Sequence, residues 1–398
     1  MHSQAKLGSN RWLLILARCF AAGFAAGTPG LTALWSNRGL SRGDFYLLEI
    51  LFAVALLVLE VATGRFADRF GKVLTLKYGF TALALGATVY AAATSFSGFL
   101  AGEVLAALGM ALISGTDEAL MFCSNKAMGR TKEEHQKWWS VSIGTSFLAM
   151  AIFAIVGAKL SDLNLSAPFL LCACVQVIGF MLCFGLVEPP KGGLTATEEP
   201  NGTLKEAVSA IVLSSSHIRW MALAPGFVAA VNQTFLWMYP EYLAECDIHG
   251  AECGYVFALF NLVAGASALY FRSVTDVRRS VTIFFLLSIA LAGSTVGLVI
   301  AVGGAAWLLI LPQQVVRSMT GSLFSQSIND AIPEAVRVTA LSVRNALRVL
   351  LTVATMVPWW LGVDQLGRTA MFCFNLLVLT AGTAFLWATS PKAQQAKD

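Results

Sequence analysis

The sequence predicts an all-α membrane protein of twelve transmembrane helices arranged as two pseudo-symmetric bundles of six. Three observations carry this. Of 398 residues, 57% are hydrophobic and only 13% charged, with a mean hydropathy of +0.70, whereas a soluble chain carries about twice that charged fraction. The apolar residues fall into long runs, each near the roughly 20 residues needed to cross the hydrocarbon of a bilayer. Short loops join these runs, except where one polar segment, Glu188 to Ser216, interrupts the pattern midway.

Taken in order, the runs place spans at 12–35, 45–64, 73–93, 97–122, 138–159, 166–187, 218–243, 253–274, 281–301, 305–330, 339–361 and 368–388. Met1 to Asn10 is polar, and the run after it is too long for a signal-peptide core and lacks a cleavage site, so it reads as a retained first helix. Between spans 2 and 3, Gly64 to Lys72 reads as a tight basic turn, with Gly64 and Gly71 giving the backbone freedom to reverse. The middle segment opens on Pro189-Pro190 and Gly192-Gly193, a linker signal, with an amphipathic surface helix expected at Leu204 to Leu213. The domains are therefore 1–187, a first six-helix bundle; 188–216, a cytoplasmic linker; and 217–398, a second bundle. The halves echo each other. Span 8 is followed by Arg272, Asp276, Arg278 and Arg279, an acid among bases like the turn after span 2. Span 5 opens Trp139-Ser140-Val141 and span 11 opens Leu341-Ser342-Val343. Internal repeats of this kind build transporters, with a substrate path between the repeats.

Lysine and arginine set the orientation. The loops on the side of the N-terminus hold 19 of them and the other side 4 (Arg38, Arg42, Lys159, Arg368), which puts both termini in the cytoplasm. Because these bases lie in short loops, the net charge of +4 gives no sign of nucleic-acid binding. The chain lacks a phosphate-binding Gly-x-x-x-x-Gly-Lys-Ser/Thr loop and a His-Glu-x-x-His pair, so it reads as a non-enzyme without a cofactor. Five of the eight cysteines lie in apolar spans as small hydrophobes. Cys246 and Cys253 flank His249 in an outer loop, where a disulfide, free thiols or a weakly patterned metal site are open alternatives.

Charges inside spans are informative because each is expensive in hydrocarbon. Arg18 lies in span 1, Glu103, Asp117 and Glu118 in span 4, and Arg317 in span 10. Two readings stand for the arginines: they pair with Asp117 or Glu118 to lock a conformation, or they hold an anionic group on a substrate. Glu49, Glu60, Glu103, Asp117 and Glu118 are the carboxylates available to carry a proton, with Asp117 and Glu118 first and Glu103 second. Arg344 and Arg348, one turn apart at the start of span 11, share a face.

The run Gly64-x-x-x-Asp68-Arg69-x-Gly71-Lys72 resembles the loop between helices 2 and 3 that marks the major facilitator superfamily. Together with Ser114-Gly115-Thr116-Asp117-Glu118-Ala119-Leu120 it is similar to a group of bacterial drug or metabolite exporters in that superfamily. The group's first motif has Pro where Ala62 stands here, and its second continues to Tyr-Asp where this chain has Phe122-Cys123. The resemblance implies a central cavity lined by spans 1, 4, 7 and 10. Substrate would then meet Arg18, Asn232, Gln233, Trp237, Gln313, Gln314 and Arg317, with Pro225-Gly226 and Pro312 bending helices near the path. Protons would be carried by Asp117, Glu118 and Glu103. Gating would fall to Glu60, Gly64, Asp68, Arg69, Gly71, Arg344 and Arg348, the two last arginines pairing with Glu60 or Asp68. Two exporter motifs are missing: Leu105-Ala-Ala-Leu108-Gly109 stands where an Arg-x-x-Gln-Gly is common, and span 5 has Gly144 and Gly157 but no proline. The expected function is proton-linked export of a small amphipathic or anionic molecule from a bacterial cytoplasm through the inner membrane, by a monomer using alternating access. An organic-anion importer or facilitator without proton antiport is one alternative. A membrane sensor or assembly partner that moves nothing is another.

Overall fold

The computed structural model describes residues 2–189, 216–274, 276–301, 303–319, 323–324 and 337–390, with residues 2–6, 61, 62, 64, 65, 68, 132, 133, 272 and 337–342 described by their backbone alone. Every regular element among them is helical. Two compact units emerge: Met1–Thr195 with Ile248–Leu262, and Ala196–Asp247 with Val263–Asp398. The surface helix expected at Leu204 to Leu213 lies outside the described residues.

In the first unit, α1 (His2–Ala21) passes through two 3-10 turns, Ala22–Ala26 and Thr28–Gly30, into α2 (Leu31–Asn37). Then come α3 (Arg42–Phe70), α4 (Lys72–Ala92), α5 (Phe96–Ile113), α6 (Thr116–Ala127), α7 (Lys132–Leu163) and α8 (Ala167–Leu182). Two of these helices begin with reciprocal caps. Ser41 accepts from the Asp44 amide while Asp44 accepts from the Ser41 amide, and Thr131 and Glu134 repeat the arrangement at α7. Each cap satisfies two amides that the first helical turn would leave unpaired. The core joins Leu14, Ile15 and Ala17 of α1 to Leu76 and Phe80 of α4 and to Leu120 and Met121 of α6. Helices α4 and α5 meet through glycines: a Cβ on Gly109 would lie 2.8 Å from the Gly79 carbonyl oxygen, and one on Gly86 3.1 Å from that of Gly102. Small residues let backbones approach where lipid offers no hydrophobic drive for association.

The second unit holds α9 (Ser216–Gln233), α10 (Tyr239–Glu245), α12 (Val277–Ile300), α13 (Leu311–Met319) and α14 (Arg337–Ala388). The helix α11 (Ala251–Arg272) contributes its first residues, to Leu262, to the first unit and the remainder to the second. Aromatic rings fill the second unit's interior: Trp220 meets Phe284 and Phe324, and Phe235, Trp359 and Phe372 form a second cluster.

Nine helical stretches among the described residues are long and apolar enough to cross a membrane. One of them, Val343–Ala388, has 46 residues and kinks at Gly367, where φ is 76°. That kink falls where the sequence separates its last two spans. Helix α3, at 29 residues, is about 43 Å long.

The structure corrects three local expectations. The turn expected over Gly64–Lys72 is helical up to Phe70, and the chain reverses at Gly71 alone, with φ 97°. Gly64 therefore lies inside α3 and takes no part in the turn. Span 4 is broken: α5 stops at Ile113, Gly115 adopts φ 75°, and α6 starts afresh at Thr116. In span 7, read as one continuous helix, Pro225 lies inside α9 and the helix is interrupted over Thr234 and Phe235, before a 3-10 turn at Leu236–Met238.

Candidate functional site

The break after α5 creates the first polar site. It places Asp117 and Glu118 in the first turn of α6, where unpaired amides favour a carboxylate. Asp117 is buried and Glu118, its neighbour, is exposed, so the two acids face different surroundings. Arg18, in the last turn of α1, donates from Nη1 to Asp117 Oδ2 at 2.7 Å. The other Asp117 oxygen accepts from the Glu118 amide at 2.8 Å. The Arg18 guanidinium also stacks over Trp139 of α7, 4.4 Å from the ring centre. Thus α1, α6 and α7 converge on one ion pair. About two helical turns earlier, Arg11 lies 4.1 Å over Trp138, so the consecutive tryptophans each receive an arginine from α1.

Glu103 is brought to a different place. The rest of α5 and the Ser114-Gly115 break separate it from Asp117. It is buried, and it accepts a hydrogen bond from the Tyr90 hydroxyl of α4.

The second unit gathers most of the polar residues expected of spans 7 and 10. Asn232 Nδ2 donates to the Gln313 backbone oxygen at 3.1 Å. The Gln313 side chain accepts from Tyr239 Oη at 2.6 Å and donates to Ser294 Oγ at 2.9 Å. Asn232, Trp237, Gln313 and Gln314 are all buried, while Gln233 and Arg317 are partly exposed. Asn232 Oδ1 and Gln314 Oε1 are buried acceptors with no hydrogen-bond donor among the described residues. A neighbouring run of hydrogen bonds goes from Trp359 Nε1 to Asn375 Oδ1 at 3.0 Å, and from Asn375 Nδ2 to Thr234 Oγ1. It holds the backbone where α9 breaks.

Of the residues expected to gate, Glu60 is partly buried in α3 and Arg69 is exposed, its guanidinium 5.3 Å from the Phe70 ring. The side chain of Asp68 lies outside the described residues. Arg344 is partly exposed, and Arg348 bonds back to Asn345 Oδ1 at 3.2 and 2.9 Å. Cys246 and Cys253 are free, buried thiols, and no group of three metal-ligating side chains occurs among the described residues. The disulfide alternative is not met.

Several residues of these sites escape sequence reading. Trp139 stands out in the sequence only as a repeat marker, and Tyr239 lies two positions beyond Trp237; an aromatic carrying a polar atom within a span is the only signal for either. Glu188 reads as the first residue of the linker. In the structure its two oxygens accept the Lys72 and Val73 amides, each at 3.0 Å, closing the N-terminus of α4 beside the Gly71 turn. Glu188→Ala is expected to lower stability by about 1 kcal/mol, and Glu188→Gln by less, read as the thermal midpoint of the purified protein.

Multiple apolar helices, one of them broken beside the partly buried Arg18–Asp117 ion pair, define a multi-pass membrane protein. A model of the Major Facilitator Superfamily matches residues 12–356, and the chain belongs to that superfamily. It is 23% identical over 223 residues to an uncharacterized MFS-type transporter, YxaM, of Bacillus subtilis (strain 168), covering 55% of this chain and 54% of that one. The chain thus spans about half the length of the curated relative it matches. Among solved structures, the fold is similar to that of a mutant form of the nucleoside transporter NupG, with TM-score 0.76 and 11% identity over 96% of this chain and 99% of that one. A POT family transporter in complex with 5-aminolevulinic acid gives TM-score 0.72 at 13% identity, covering 97% and 96%. A bacterial homolog of the human lysosomal transporter Spinster gives 0.68 at 14%, covering 97% and 95%.

Proposed function

We propose that the protein is a secondary active transporter that exports a small amphipathic or anionic molecule across a bacterial cytoplasmic membrane, coupled to protons and working by alternating access. The observation that supports this best is the Arg18–Asp117 pair at 2.7 Å, set where α5 breaks. Charges in a membrane span persist when they serve a path or balance a partner, and broken helices in such proteins line water-filled cavities. In this reading Arg18 and Asp117 separate and re-form as substrate or proton arrives, and Trp139 holds the guanidinium in register meanwhile. Asn232, Gln233, Trp237, Gln313, Gln314 and Arg317 supply the second unit's substrate contacts. The unpartnered acceptors of Asn232 and Gln314 suit a ligand that donates hydrogen bonds. Asp117, Glu118 and Glu103 are the proton-carrying acids. Arg344 and Arg348 gate by pairing with Glu60 or Asp68, and Arg69 and Gly71 belong to the same gating set through the turn after α3.

The test is flux in proteoliposomes under an imposed pH gradient, with organic acids and amphipathic drugs supplied as a panel. Outward substrate movement against inward protons is the expected result. Uptake without opposite proton movement would replace export with facilitated import, and a panel that neither moves nor shifts the thermal midpoint would favour a non-transporting role.

A further inference from the structure

The polar network of the second unit has a direction, and that direction specifies a ligand. The network ends on a backbone carbonyl: Ser294 Oγ of α12 donates to the Leu309 oxygen at 2.6 Å. A carbonyl only accepts, so the Ser294 proton is committed there. Ser294 Oγ must then accept from Gln313 Nε2, at 2.9 Å. That turns the other end of the Gln313 amide, Oε1, toward Tyr239, whose hydroxyl donates to it at 2.6 Å. The side chain of Gln314 also bonds to the Tyr239 hydroxyl. With that hydroxyl's proton spent, Gln314 presents Nε2 to it and turns Oε1 away. Asn232 of α9 is fixed in the same way. Its Nδ2 donates to the Gln313 backbone oxygen at 3.1 Å, and the flipped amide would set two carbonyl oxygens against each other.

Asn232 Oδ1 and Gln314 Oε1 remain. Both are buried, and neither accepts a hydrogen bond among the described residues; their residues are 5% and 1% exposed. They belong to one patch, because Asn232 bonds to the carbonyl of the peptide that joins Gln313 to Gln314. A buried acceptor without a donor is costly, so each calls for a hydrogen from outside the protein. Charge decides what kind of group brings it. Arg317 lies three residues after Gln314 in α13, on the same helix face, and it interacts electrostatically with Tyr239. Gln233 and Arg317 are partly exposed, so the patch meets open space beside this cation. An ammonium group entering there would face a guanidinium in a low-dielectric surrounding, where like charges repel strongly. We infer that Asn232 and Gln314 bind an uncharged group carrying two donor hydrogens, a primary amide or a vicinal diol, and that Arg317 excludes protonated amines. An anionic group elsewhere on the same molecule is compatible with Arg317. That this ligand is the transported molecule rests on the transport reading above; the binding chemistry does not.

Saturation-transfer NMR on the purified protein in lipid nanodiscs tests this with aromatic probes of similar size. Phenylacetamide and phenylethanediol carry uncharged donors. The N,N-dimethyl analogue of the first and the dimethyl ether of the second keep the shape without those hydrogens, and phenethylamine carries its hydrogens on a cation. At least one of the two uncharged donors is expected to bind about tenfold or more tightly than its methylated partner and than phenethylamine, a factor near one hydrogen bond. Which of them binds separates amide from diol. Arg317→Gln removes the cation and is expected to gain phenethylamine binding by about tenfold or more. Gln314→Leu removes one acceptor and is expected to lose the preference over the methylated partner. If that variant does not fold, the wild-type comparison and the Arg317→Gln gain decide alone. Equal binding of methylated and unmethylated probes, or binding of neither, is the result of a resident water satisfying both acceptors, and it overturns the inference. So does a folded Gln314→Leu that keeps the preference, or phenethylamine that binds the wild type as tightly as the uncharged donors. No gain in Arg317→Gln overturns the charge filter. Flux separates this outcome from the transport reading. Donor-selective binding with no flux in proteoliposomes leaves the site standing and removes transport, whereas flux of a panel compound without donor selectivity removes the site and keeps transport.

Discussion

Arg18→Met is expected to abolish transport and to destabilise the protein, whereas Arg18→Met combined with Asp117→Leu restores stability and leaves transport absent. Removing one partner of a fully buried pair costs about 3–5 kcal/mol because the other charge is left unpaired. Here the Arg18 side chain is 30% exposed and that of Asp117 10%, so solvent relieves part of the loss, and about 2–3 kcal/mol is expected. Replacing both residues by apolar ones of similar size removes the stranded charge, which is often neutral or stabilising. The double variant therefore separates the two readings that the sequence leaves open for Arg18. A lock that merely balances charge predicts that transport returns with stability. A working element of the path predicts a stable, inactive protein. Arg18→Lys sharpens the point: it keeps the charge but loses the planar fork and the stacking over Trp139, so an intermediate flux defect is expected. Thermal midpoints and proteoliposome flux, measured on the same preparations, read both quantities.

How much of this is legible in the sequence differs by level. The fold follows from hydropathy and from the Gly64–Lys72 motif, because a bilayer leaves few ways to satisfy a backbone. Within it, the sequence reading places the charged side chains in the right helices but misses where those helices break. Span 4 looks continuous, since Ile113, Ser114 and Gly115 sit in an apolar run. The interruption depends on Gly115 adopting φ 75°, which composition alone does not dictate. The opposite error occurs at Gly64, where a glycine beside basic residues looks like a turn. The helix continues through it to Phe70; one glycine costs a helix only about 1 kcal/mol against alanine. Partner choice is the least legible level. Asp117 and Glu118 are adjacent in sequence, yet one is buried against Arg18 and the other is exposed. Glu103 resembles them in type and meets a tyrosine instead of an arginine.

Glycine substitutions give the second large effect, with opposite signs at two sites. At Gly157, inside α7, a Cβ would lie 1.9 Å from the Ala26 carbonyl oxygen, 2.5 Å from its carbon and 2.6 Å from its Cα. All three are backbone atoms, so no side chain can rotate away, and α7 must withdraw from the 3-10 turn at Ala22–Ala26. Overpacking a close-packed interior costs about 1–3 kcal/mol, occasionally more, and a clash with backbone belongs at or above the top of that range. Gly157→Ala is therefore expected to lower the thermal midpoint sharply and Gly157→Val to prevent isolation of folded protein. Gly293, inside α12, meets nothing within 4 Å. There alanine adds no clash and removes backbone freedom from the unfolded chain, so Gly293→Ala is expected to gain up to about 1 kcal/mol. The pair tests whether helix contact, and not helix propensity, governs stability in the first unit. If Gly157→Ala behaves like Gly293→Ala, then α7 does not pack against the Ala22–Ala26 turn as described.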